Sequence, residues 1–202
     1  MIAQPRLGSC VLPPLNPELD GLWDAILDLA EDLSPRGWVL VGGQMVMLHG
    51  LAARRVATRA SNDIDLLADL ITARGAVGEC VRAVRRLGFE PVEANGRWLL
   101  HRFVPGDQAV VDVPVPSPLG ALMLKAAAYR ADNRDRDRHA YDAAFLSSLI
   151  TDPLAARDSF KSSDRKRLRA LDEVLADRGH DAWRALGDQA EDGFARWRQL
   201  TS

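Results

Sequence analysis

Apolar positions recur along the chain with two different periods, and the change of period divides it. In NPELDGLWDAILDLAEDL, Leu19, Leu22, Trp23, Ile26, Leu27 and Ala30 fall at helical intervals. Asn16 followed by Pro17 marks the start: a capping side chain, then a residue whose missing N–H costs nothing in a first turn. Pro35 and Gly37 end that helix. WVLVGG follows as a buried strand closed by a glycine pair, and QMVMLHGL as a short helix. AARRVATRASN is a basic, polar connection, and DIDLLAD is a second strand. Residues 72–87 predict an amphipathic helix with Val77, Val81, Val84 and Leu87 inward and Arg82, Arg85 and Arg86 outward. FEPVE, RWLLHRFV and AVVDVPV predict three more strands, with Gly106-Asp107 turning between the last two. From Pro118 the period stays helical, with helices predicted from Leu119 to Arg130, Arg138 to Leu149, Asp164 to Asp177 and Asp181 to Gln199. The pattern predicts an α+β chain. A small mixed β-sheet core flanked by helices occupies residues 1–116, and a C-terminal helical bundle occupies 117–202.

The totals change this picture little. A chain of 202 residues, 47% hydrophobic and 27% charged, is ordinary for a globular protein. A net charge of -2 excludes a uniformly basic nucleic-acid wrapper but leaves room for a local basic face. Cys10 and Cys80 form no CxxC, so free thiols in a reducing cytoplasm are expected. His49, His101, His139 and His180 show no metal-ligand spacing. The proline-bearing N-terminal stretch has no apolar run long enough for a signal peptide or a membrane span, so no membrane partner is expected.

The candidate chemistry lies in DIDLLAD. Residues i and i+2 of a strand share a face, so Asp63 and Asp65 project together while Ile64 turns to the core. Two adjacent carboxylates repel unless a proton or cation sits between them, and hard oxygen ligands suit Mg2+ shared with substrate phosphates. Asp112 in AVVDVPV is a third carboxylate on a buried-looking strand. If that strand lies beside DIDLL, the three make a ligand set for two-metal phosphoryl or nucleotidyl transfer. Gly42 and Gly43 close a strand and open a helix, where free N–H groups attract phosphate.

Together, Gly42-Gly43, Arg59, Ser61, Asp63, Asp65 and Asp112 resemble the DNA polymerase β-type nucleotidyltransferase superfamily. Within it, LGALMLKAAAYR, with Lys125 and Arg130, and RHAYDAAFL, with Asp142, resemble the AbiEii/MenT-type toxins of toxin–antitoxin systems. The likeness runs from about Val39 to Leu149. Ser61 stands where the family often has threonine, and His139 where it often has an acidic residue. The resemblance implies a nucleotidyltransferase core in residues 1–116 and a transferase that uses Mg2+ and a nucleoside triphosphate. It implies transfer of a nucleoside monophosphate to the 3′ end of tRNA with release of pyrophosphate, blocking aminoacylation, and a cognate antitoxin as partner. Asp63, Asp65 and Asp112 would hold metal. Gly42, Gly43 and Ser61 would contact the triphosphate. Lys125 would offset phosphate charge in the transition state, with Arg130 as a second phosphate contact. Asp142 would either orient Lys125 or touch the nucleotide. A phosphate on Ser61 would add about two negative charges beside the ligands and block triphosphate entry.

Each residue also has a plainer reading. Asp63 and Asp65 could be solvent-facing carboxylates at a strand end, Asp112 an exposed strand residue, and Gly42-Gly43 a turn. Lys125 could snorkel to the surface, and Asp142 could be a helix-pairing residue. His49 reads as a packed histidine, and Trp183 and Trp197 as core anchors. The charged runs ADNRDRDRH and KSSDRKRLRALDEV read as solvated segments or as grips on an RNA backbone. Two other functions fit the same residues: a small-molecule nucleotidyltransferase of antibiotic-modifying type, and a non-catalytic nucleotidyltransferase-like binding protein.

Overall fold

The structure, a computed structural model, describes residues 10, 12–59, 61–68, 75–87, 92–94, 97–99, 113–132 and 134–202. The chain is α+β, and it divides into two compact units. One contains Val11–Met45 and Ser61–Pro116; the other contains Val46–Ala60 and Ser117–Ser202.

The first unit opens with α1, Pro17–Asp32. The Asn16 side chain caps it, accepting from the Leu19 amide at 2.9 Å, and Pro17 takes the first helical position. The buried stripe is Leu19, Leu22, Trp23, Ala25, Ile26 and Leu29. Leu27 and Ala30, expected inward, lie at its margin, because the stripe is centred one position toward Ala25 and Leu29. Strand β1, Trp38–Val41, pairs antiparallel with β2, Asp65–Ala68, and Val41 stands opposite Asp65. Helix α2, Gly42–Ala52, follows β1 without an intervening residue; its residues up to Met45 belong to this unit and the rest to the other. Helix α3, Ala76–Arg86, buries Ala76, Ala83 and Val84, while Val77 is exposed, contrary to the sequence expectation. Its small alanines define the packed face, and Val77 is one step off it. Arg86 on α3 donates to Asp32 on α1 at 3.0 Å.

Strands β3, Val92–Ala94, and β4, Arg97–Leu99, form a second antiparallel pair. Most of RWLLHRFV, the Gly106-Asp107 turn and Asp112 lie outside the described residues. Residues 113–115, the described end of the strand expected over AVVDVPV, join no ladder. Pro114 and Pro116 lack the N–H a ladder needs. The Pro114 carbonyl nevertheless accepts from the Leu40 amide at 2.8 Å. Alternate amides of a paired strand point away from the partner, so this contact lies on the edge of β1 opposite β2.

The second unit is helical: α4, Pro118–Ala131; α5, Asp137–Leu149; α6, Pro153–Asp158; α7, Ser162–Leu175; α8, Asp181–Arg184; and α9, Ala190–Thr201. Side chains of Ser117 and Asp152 cap α4 and α6, each ahead of a proline. Helix α5 is the centre, buried at His139, Ala140 and throughout Asp142–Ser148. Small residues let its neighbours approach from several sides. The hydroxyls of Ser147 and Ser148 are satisfied by carbonyls three residues back, at 2.8 and 2.7 Å. At its C-terminal end, Arg55 and Arg196 both donate to the Ser148 carbonyl, capping orphan acceptors with charge of the favourable sign. The single helix expected from Asp181 to Gln199 is instead two, α8 and α9, joined through a 3-10 turn, Gly187–Gln189. Gly187 adopts φ +58°, a left-handed conformation that interrupts the helix. Trp183 and Trp197 are core anchors, packed at 6.4 Å between ring centroids and donating to the Leu175 carbonyl and the Asp172 carboxylate.

Candidate functional site

In the first unit, Asp63 and Asp65 are exposed and Ile64 between them is buried. Asp65 is the first residue of β2, and Asp63 lies in the segment leading into it. Neither carboxylate has a hydrogen bond or ion pair among the described residues. Two exposed carboxylates without a partner among the described residues are hard-oxygen donors of the kind a divalent cation such as Mg2+ takes. Among the described residues no group of three or more acidic, cysteine or histidine side chains gathers; the expected third ligand, Asp112, lies outside them.

Gly42 holds the neighbourhood of Asp65. It has φ +74° and follows Val41, the residue opposite Asp65 in the strand pair. A Cβ at Gly42 would stand 2.8 Å from Asp65 Cγ and 2.9 Å from its Cβ. Both the backbone conformation and the space therefore require glycine. This places the Asp65 carboxylate against the first turn of α2, which carries no acidic residue of its own, where Gly43 sits half-buried and the leading amides lack intrahelical partners.

Gln44, buried to 1% exposure, was not singled out by the sequence. Its Nε2 donates to the Ser61 carbonyl at 2.5 Å, tying the segment before Asp63 to α2. The available signal was a single amide side chain in the otherwise apolar QMVMLHGL. The Ser61 side chain is half-buried.

The second unit holds a different polar cluster. Asp142 on α5 is 1% exposed and accepts from Lys125 Nζ on α4 at 2.7 Å. Arg59 grips the same carboxylate with two donors, Nε to Oδ1 at 3.1 Å and Nη2 to Oδ2 at 3.2 Å. Lys125 is buried, so it is neither a snorkelling nor a surface lysine. Between the two uses left open for Asp142, the geometry gives the orienting of Lys125 a direct contact. Arg130 does not join them. Five residues on from Lys125, it projects from another face of α4 and is exposed.

The turn between α4 and α5 is organised by Asp132. Its carboxylate accepts from the amides of Arg134 (2.8 Å) and Asp135 (3.3 Å), from Arg138 Nη2 (2.7 Å) and from His139 Nε2 (3.2 Å). The Arg134 amide above all, together with these other donors, holds it well below the usual carboxylate range. His139 is pushed below the ordinary histidine value by burial, reinforced by nearby Lys125 and Arg138 and opposed by Asp132. Its Nδ1 is buried without a hydrogen-bond partner among the described residues, so a second proton would have no acceptor. His49 is buried in the last turn of α2. Cys10 and Cys80 are free thiols, and burial raises the pKa of Cys80. No described helix is long and apolar enough to cross a membrane.

No protein-family model, curated protein or solved structure matches the chain.

Proposed function

We propose that this protein is a Mg2+-dependent nucleotidyltransferase that moves a nucleoside monophosphate from a nucleoside triphosphate to the 3′ end of tRNA. It would act as the growth-inhibiting partner of an antitoxin in the cytoplasm. One observation carries the proposal. The Asp63–Asp65 pair is exposed and has no ion-pair partner among the described residues, and the carboxylate of Asp65 packs on the left-handed Gly42 at the first turn of α2. Glycine at position 42 leaves the room that the Asp65 carboxylate occupies and that any side chain there would take.

In this role Asp63 and Asp65 hold magnesium, with Asp112 assigned as third ligand from the sequence. Bound magnesium eases loss of the acceptor hydroxyl's proton and offsets charge on the triphosphate. The leading amides of α2, at Gly42 and Gly43, favour a phosphate there. Gln44 fixes the approach to Asp63 through Ser61, whose hydroxyl would meet the triphosphate. Lys125 offsets phosphate charge, and Asp142 is its positioning residue within the helical unit. Arg130, exposed, is left as an outer phosphate contact.

The test uses purified protein, total tRNA, Mg2+ and each labelled nucleoside triphosphate in turn. Label on tRNA, lost in Asp63→Ala/Asp65→Ala, is the expected result. Magnesium-dependent triphosphate binding without labelled RNA would turn the assignment toward a small-molecule acceptor. Absence of triphosphate binding would overturn the enzyme assignment altogether.

A further inference from the structure

The helical unit contains a basic pocket that the proposed chemistry does not use. A cavity of about 220 Å3 lies among α6, α7 and α9. Arg157, Arg165 and Arg169 line it, over an apolar floor of Phe160, Leu168 and Leu200. Arg165 and Arg169 are four residues apart on α7, so their side chains share one face of the helix. Both are exposed, and neither has an ion-pair partner among the described residues. Arg157 is held at the rim, donating to the Ser202 hydroxyl at 3.2 Å. The acidic side chain in the lining, Asp172, is engaged: its Oδ1 accepts from Trp197 Nε1 at 2.9 Å.

The charge around this pocket is local. Between Arg157 and Arg169 the chain has six basic and two acidic residues, while the whole chain carries -2. Of those two, Asp164 is occupied by Arg167 and by the start of α7. Lys161 and Lys166 extend the unpaired positive row beyond the pocket. Unpaired guanidiniums at one helical turn suit successive phosphates of a nucleic-acid strand. An apolar floor with an aromatic edge at Phe160 suits the face of a base. A free inorganic anion would use the arginines and leave the floor idle.

We infer that the pocket among α6, α7 and α9 is an RNA-backbone site, with Arg165 and Arg169 on phosphates and Phe160 beside a base. The choice of RNA rests on the proposed tRNA acceptor, yet binding and transfer can fail separately. The experiment measures tRNA binding by filter retention across a salt series, for the wild type, Arg165→Ala/Arg169→Ala, Arg165→Lys/Arg169→Lys and Asp63→Ala/Asp65→Ala. Thermal melts confirm that each variant is folded. The alanine pair is expected to weaken binding roughly tenfold or more and to flatten the log K against log salt slope by about 1.4 to 1.8, the share of two phosphate contacts. The lysine pair is expected to keep most of that slope, because it keeps the charge. The Asp63/Asp65 variant is expected to bind tRNA while transferring nothing. Unchanged affinity and slope in the folded alanine pair would overturn the pocket assignment and leave the proposed transferase standing. Arginine-dependent tRNA binding by a wild type that transfers no nucleotide would support the pocket and sink the transferase. Retention of a polyglutamate peptide in place of tRNA would overturn the pocket assignment in favour of an acidic protein partner.

Discussion

Aspartate is used in opposite ways in the two units. In the first, Asp63 and Asp65 are exposed and have no cationic partner among the described residues. In the second, Asp142 is buried and carries two cations, Lys125 and Arg59. Burying a carboxylate is costly, and only close, well-formed charge pairs make it tolerable. Asp142 therefore belongs to what holds its unit together. The exposed pair makes no ion pair or hydrogen bond among the described residues, so its carboxylates are left to solvent. Position within the fold, and not residue type, separates a structural carboxylate from an available one.

Substitution should separate them sharply. Asp63→Ala/Asp65→Ala is expected to lower transfer at least about a thousandfold, the scale of lost metal charge in a transition state. Its chemical-denaturation stability should stay within about 0.5 kcal/mol of the wild type. A large stability loss would break the contrast. Asp142→Ala is expected to act first on stability, costing about 3–5 kcal/mol by leaving Lys125 and Arg59 without their carboxylate, and to lower transfer as well because Lys125 loses its positioning partner. Urea unfolding measures this directly, and an unperturbed midpoint would show that the cluster does not support its unit. Gly42→Ala falls between the two. It should cost about 1–3 kcal/mol for the left-handed backbone and also displace Asp65, so that stability and transfer fall together. An alanine variant that melts like the wild type would mean the Gly42–Asp65 contact relaxes easily.

The smallest expected effect is on pH. His139 has a folded pKa below its unfolded value, so its share of stability is fully present above about pH 6.5 and is lost as pH falls toward the folded value. Asp132 is also depressed, and its share is lost only below about pH 4. His139→Gln should flatten the stability profile below about pH 6.5 and leave the acid limb of Asp132 in place. An unchanged profile would mean that protonated His139 is accommodated by Asp132.

Much of the local structure was legible. Asn16-Pro17 announces α1, and the alternation around Ile64 matches its burial between exposed Asp63 and Asp65, although the strand begins only at Asp65. What escaped was set at long range or by a single residue. Nothing near Asp142 in the sequence says that Arg59, 83 positions earlier, would grip it. Gln44 looked incidental in an apolar helix until Ser61 came beside it. Gly187 looked tolerable inside a helix, and its positive φ split that helix. The step Asn95-Gly96 is a strong hairpin signal, and it lies in sequence between paired Ala94 and Arg97. Pro114 falls inside AVVDVPV, whose valines on either side of it read as strand.

The packing of Gly42 against Asp65 also constrains how this chain can drift. The two positions share one small volume, so the order of substitutions matters. A side chain added first at position 42 meets both a collision and a strained backbone. If Asp65 is first shortened to glycine, the collision is removed but φ +74° remains unfavourable for every other L residue. Loss of the carboxylate is thus the shorter path, and it leaves the glycine behind. A descendant that kept glycine at 42 without aspartate at 65 would carry the trace of an abandoned site.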